Sequence, residues 1–201
     1  SIMSWEQLRE MTELVDVYNH SVTHQHLIDK ADEVLLYEIT SAQLRLKSEL
    51  SQDNKFFAYP YGEFDGKTYH LIEEYGYIGF GQHSGAIGSM SDFLNLPRFA
   101  MASSYAEMDS FVMKINTLPM PVKNEEPKFM AISGNNKPVL TINFSRSLTS
   151  NERYQFACYV SGQEMPDLTW LNSESVIVQA KEPLPQGRSR YNCTMPSKEK
   201  G

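Results

Sequence analysis

The sequence predicts an α/β fold over residues 1–118, then a linker at 119–130 and a small antiparallel, sandwich-like β unit at 131–201. Three observations carry this prediction. Up to Leu118, short apolar runs alternate with amphipathic stretches at helical spacing, the pattern of βα units around a largely parallel sheet. The stretch LPMPVKNEEPK then brings Pro119, Pro121 and Pro127 into a charge cluster, which marks a connection. Beyond it apolar residues recur at every second position, in Leu140, Ile142 and Phe144, in Tyr154, Phe156, Cys158 and Val160, and in Val176 and Val178.

The elements follow in order. Ser4-Trp5-Glu6-Gln7 is a capping box, and the helix behind it places Trp5, Leu8, Met11 and Thr12 on one face. Leu14-Val15-Asp16-Val17-Tyr18 reads as a short strand. From Ala31 to Leu50, the residues Val34, Leu35, Ile39, Ala42, Leu46 and Leu50 recur at helical spacing with charges between them. Phe56-Phe57-Ala58-Tyr59 is a strand stopped by Pro60, and Gly66 to Tyr75 a helix whose end is marked by Gly76. Tyr77-Ile78-Gly79-Phe80 is the next strand, and a glycine-rich loop runs on to Gly88. Phe99-Ala100-Met101 reads as a further strand and Tyr105 to Ile115 as a further helix.

Composition excludes several functions. The net charge of −7 supplies no basic surface for nucleic acid. No apolar run approaches the roughly 18–20 residues that span a bilayer, so no transmembrane segment is expected. The two cysteines, Cys158 and Cys193, lie far from the histidines and lack C-x-x-C spacing, which argues against a thiol-based metal or redox site.

Three of the five histidines fall in the stretch NHSVTHQH, residues 19–26. His20 and His24 stand at i and i+4, so a helical turn would project both imidazoles from one face toward a single metal. The stretch lies at the end of a predicted strand, where sites in α/β sheets are built. Ser21 and Thr23 could orient the rings. The same pattern also fits a polar loop.

A second stretch, AYPYGE at 58–63, again ends a predicted strand, and LNLPRF follows at 94–99. In this order and separation the three stretches, with the preceding MSWEQLREM, resemble the polysaccharide deacetylases of the NodB-homology type, carbohydrate esterase family 4. The resemblance implies the later part of a (β/α) barrel over 1–118 and a metal-dependent hydrolase that removes N-acetyl groups from an acetylated aminoglycan. It implies that His20 and His24 bind a divalent metal, usually zinc. Pro60 and Tyr61 would wall the substrate groove, with the Tyr61 N–H facing the developing oxyanion.

Two departures from the family pattern matter. The family's first motif, an Asp-bearing turn that supplies the base and the third metal ligand, is not found, and Asp29 and Asp32 follow the histidines at a helix start instead. The chain is therefore expected to be a fragment, inactive alone and able to associate with the missing segment or another copy; a natural remnant is the alternative. Ala58 stands where the family has arginine, and Arg98 could supply that charge or form a structural ion pair. His83 could reach the site as the acid for the leaving amine. His70 reads as surface or packing, and His26 as an orienting or solvated residue.

Cys158 and Cys193 fall on two predicted strands with Trp170 between them in sequence, which suggests a cross-sheet disulfide; two buried thiols are the alternative. A disulfide would place the protein in an oxidising compartment, as a secreted, periplasmic or cell-envelope enzyme on polysaccharide. Trp170 and Tyr159 could stack on sugar rings or pack in a core. A competing function is a non-catalytic glycan- or protein-binding module.

Overall fold

The computed structural model of the chain describes residues 3–129 and 131–197. Met130 and residues 198–201, which close the expected linker and β unit, lie outside them. The fold is mixed α/β in two compact units. One holds the residues up to Ser84 together with Asp92–Arg98; the other holds Gly85–Ser91 and the chain from Phe99 onward.

In the first unit, α1 (Trp5–Met11) begins at Ser4, whose hydroxyl accepts from the Gln7 N–H while the Gln7 side chain accepts from the Ser4 N–H. Both early backbone donors are satisfied, as the capping box predicts. The expected strand at Leu14–Tyr18 does not form. Leu14 and Tyr18 stay exposed, and only Asn19 joins the sheet, by one parallel bridge to Phe57.

The long helix runs as α2 (Asp32–Leu36), a π-helical turn (Tyr37–Ser41) and α3 (Ala42–Leu50), with helical backbone at both joints. It buries Leu35 and Ile39. β1 (Phe56–Ala58) and β2 (Ile78–Phe80) pair in parallel, with Phe57 opposite Gly79, and α4 (Gly66–Glu74) crosses between them. Asn19 flanks β1, and Leu96 bridges Phe80 in parallel beyond β2. The strand expected at Phe99–Met101 is absent. The ladder stops at Leu96 because Pro97, having no N–H, cannot extend it. Leu27, Leu35, Ile39, Phe57, Tyr59 and Ile72 are fully buried in this unit.

The second unit holds α5 (Met108–Ile115), which buries none of its residues. β3 (Val122–Glu126), β4 (Val139–Phe144), β6 (Asp167–Trp170) and β7 (Ser175–Gln179) form an antiparallel sheet in the order β3-β4-β7-β6, while β5 (Ala157–Val160) pairs with β8 (Tyr191–Thr194). β3 lies in the stretch read from sequence as a linker, because its polar side chains hide a strand that needs only backbone pairing at a sheet edge. The alternation read from Tyr154 to Val160 also splits. Thr149 and Glu152 make a capping box that starts α6 (Ser150–Gln155), so Tyr154 is helical and the strand begins at Ala157.

Ile142, Phe144, Leu148, Phe156, Cys158, Val176 and Val178 form the core of this unit. Trp170 packs against it, its ring 5.9 Å from Phe144 and 5.6 Å from Phe156. Trp170 is thus a packing residue, whereas Tyr159 is exposed. Cys158 and Cys193 sit opposite each other on β5 and β8 and form a disulfide.

Candidate functional site

The histidine stretch lies against the C-terminal end of β1. Asn19 donates its backbone N–H to the Phe56 carbonyl and accepts from the Ala58 N–H, so His20 emerges beside the strand end. The segment is a loop rather than a helical turn, with Ser21 (φ 69°) and His24 (φ 57°) both left-handed. The loop nevertheless brings the i and i+4 imidazoles together, with ring centroids 4.7 Å apart.

Hydrogen bonding fixes the state of His20. Its Nδ1 lies 2.7 Å from the Ala58 carbonyl oxygen. A carbonyl can only accept, so Nδ1 carries the proton and Nε2 keeps its lone pair for a ligand. Burial lowers the His20 pKa, and the charges of His24 and Arg98 add to the effect against the opposing Ala58 carbonyl, so the neutral imidazole is favoured.

Pro60–Gly62 forms a 3-10 turn directly after β1. Tyr61 takes a left-handed backbone there (φ 59°, ψ 3°), and Pro60 is buried. Gly62 (φ 69°) is required in turn, because a Cβ there would lie 2.3 Å from the Gln82 Cβ and 2.5 Å from the Gln82 nitrogen. The strained turn aims the Tyr61 ring at the histidines. It meets the His24 ring edge-on at 4.7 Å and stacks on His26 at 4.0 Å. His26 in turn points Nδ1 at the Glu63 carboxylate, 2.7 Å away. His20, His24, Tyr61 and His26 are therefore one continuous set of rings, and His26 belongs to it through Tyr61.

Arg98 follows the Leu96 bridge in a loop. Its Nε donates to the Gly81 carbonyl at 2.8 Å and its backbone N–H to the His83 carbonyl at 3.0 Å. The guanidinium is near enough to His20 to depress its pKa. The His83 ring lies over Gly81, where an added Cβ would come within 2.8 Å of Nδ1. Although the side chain is exposed, loss of solvent on its inner side lowers its pKa. His70 is exposed on α4 beside Glu73, outside this group.

Sequence reasoning did not single out Glu38. This residue of the π-helical turn is only 1% exposed, and its carboxylate accepts hydrogen bonds from Val22, Thr23 and Gln25 in the histidine loop. Burial pushes its pKa up, but the donated hydrogen bonds outweigh that and leave it below the ordinary value. A signal was available: Glu38 shares the helix face of Leu35, Ile39 and Ala42, the apolar stripe, where a charge has no business unless it is satisfied.

As a metal centre the donor set is incomplete. His20 and His24 offer adjacent imidazoles, one of them oriented by a carbonyl as metal-binding histidines are. Among the described residues no three His, Cys, Asp or Glu side chains converge to hold an ion.

Comparison with known proteins bears on the first unit. The sequence pattern of the polysaccharide deacetylase family matches residues 2–80. A solved structure of the Streptococcus pyogenes deacetylase PplD in complex with acetate is 23% identical with a TM-score of 0.45, covering 48% of this chain and 43% of that one. An L,D-transpeptidase from Mycobacterium smegmatis is 17% identical with a TM-score of 0.25, covering 34% of this chain and 32% of that one. The chain thus spans less than half the length of either. No curated protein matches.

Proposed function

We propose that this chain, whose residues 2–80 match the sequence pattern of the polysaccharide deacetylase family, carries the imidazole part of a metal-dependent enzyme that removes N-acetyl groups from an acetylated aminoglycan. One observation carries the reading: Nδ1 of His20 is held by the Ala58 carbonyl, which leaves its Nε2 with the lone pair, and the His24 ring sits 4.7 Å from it. A bound divalent ion, zinc in this reading, supplies charge that polarises an acetamide carbonyl and makes water acidic.

His20 and His24 hold that ion, and burial, which lowers the His20 pKa, favours the neutral imidazole with its proton on Nδ1. The left-handed Tyr61 offers its N–H to the oxygen on which negative charge develops. Pro60 and the Tyr61 ring bound the groove beside the sugar. His83 passes a proton to the departing amine, and Arg98 holds a carboxylate base in position. In this reading that carboxylate and the third ligand are supplied by groups other than the described residues, among which none joins the histidines. The disulfide fits an oxidising compartment, so the site of action is secreted, periplasmic or in the cell envelope.

The test is acetate release from N-acetylglucosamine oligomers by the protein that contains this segment and its base. Chelation and His20→Ala are each expected to abolish release, and turnover indifferent to both overturns the proposal. A second reading, a non-catalytic module for glycan or protein, is favoured by the incomplete donor set. Saturable oligomer binding with no acetate release in the presence of zinc selects it.

A further inference from the structure

Four consecutive backbone N–H groups in the histidine loop are bound by side chains. The Ser21 N–H goes to Asn19 Oδ1 at 3.0 Å, those of Val22 and Thr23 go to Glu38 Oε2 at 3.0 and 2.9 Å, and that of His24 goes to Ser21 Oγ at 3.0 Å. Because these amides have no ladder of their own, the shape of the loop is dictated by whichever side chains accept from it. Glu38 makes the largest contribution. Its second oxygen, Oε1, takes Thr23 Oγ1 at 2.7 Å and Gln25 Nε2 at 2.8 Å, so one buried carboxylate binds residues on both sides of His24.

The helix supports this with an irregular turn. Glu38 and Ile39 are successive residues of the π-helical turn, and Asn19 Nδ2 donates to the Ile39 carbonyl at 2.8 Å. Asn19, beside His20, and the residues around His24 are therefore both fastened to Tyr37–Ser41. π turns inside α-helices recur at functional sites, where they redirect one or two groups out of the regular ladder. The hydrogen bonds that the buried Glu38 carboxylate accepts come from the histidine loop. An isolated carboxylate is costly to bury, and here the histidine loop is what compensates it.

We infer that Glu38 is a positioning residue for the imidazole pair: through Val22, Thr23 and Gln25 it sets the backbone from which His20 and His24 converge. It touches neither imidazole and acts only through the loop. The inference deepens the metal-site reading and rests on it for its functional meaning, but its structural content can be tested separately.

The experiment compares the chain with its Glu38→Gln and Thr23→Val variants, and with Glu49→Gln, which weakens the half-buried ion pairs with Arg9 and Arg45 near the end of the same long helix, as control. Amide exchange at Val22 and ring resonances of 15N-histidine are read first. Zn2+ affinity is then measured by competition. Glu38→Gln presents an amide to donors that need an acceptor, so exchange at Val22 should rise at least tenfold and the His20 and His24 ring signals should shift. Thr23→Val, which removes one donor and keeps the carboxylate, should move the same signals less, and it decides the matter if Glu38→Gln does not fold. Zn2+ affinity should fall by roughly 10–100-fold in Glu38→Gln, the range for loss of an orienting partner. Wild-type exchange and ring signals in a folded variant overturn the inference, as does an equal response to Glu49→Gln. If the parent chain binds no Zn2+ while the exchange and ring signals respond as expected, the metal-site reading fails and the positioning role stands.

Discussion

A single buried carboxylate illustrates how residue chemistry reaches the candidate site. Hydrogen bonds from the loop hold the Glu38 pKa below its ordinary 4.5. The sign follows from linkage: a group whose pKa is depressed by folding contributes stability that is complete above its unfolded value and is lost as pH falls through its folded value. Thermal melting of the first unit is therefore expected to weaken below pH 4.5, and Glu38→Gln should remove that part of the acid dependence. An acid profile identical in both proteins refutes the assignment. The pairing of His20 with His24 was legible from spacing, although the expected helical turn is a left-handed loop. The resemblance placed Tyr61 at the histidine site, but its ring contacts with His24 and His26 were not legible, since they depend on a strained backbone that sequence spacing does not reveal.

At the level of elements, the disulfide lends itself to a direct test. It joins β5 to β8 across a separation of 35 residues, and in the chain-entropy account such a closure contributes roughly 3–4 kcal/mol. Reduction, or replacement of both cysteines by alanine, is expected to lower the melting of the second unit by a corresponding amount and leave the first unit unchanged. An unchanged transition in the second unit counts against it. The elements that sequence revealed are those whose local signals agree with their packing: the capped α1, the helix over Asp32–Leu50, β1, α4, β2 and β4. Those it missed are decided by partners distant in sequence. β3 exists because β4 offers it an edge, whereas among the described residues the segment after Leu14 makes its one sheet bridge at the following Asn19.

For the whole molecule, an imidazole pair that no carboxylate joins among the described residues makes one further expectation concrete. These 201 residues alone should release little or no acetate from N-acetylglucosamine oligomers with zinc present, and a protein or added segment that supplies the acidic ligand and base should restore release. Robust, chelator-sensitive turnover by the chain alone would contradict this. Among the described residues no helix is long and apolar enough to cross a membrane. The side-chain acceptors beneath the histidine loop bear on its portability. A synthetic peptide spanning residues 19–26 would contain both imidazoles, Asn19 and Ser21, but not the Glu38 oxygens that bind Val22 and Thr23. The smallest graft that could carry this geometry into another scaffold is discontinuous: the loop, the end of β1 that presents the Ala58 carbonyl, and the irregular helical turn at Tyr37–Ser41.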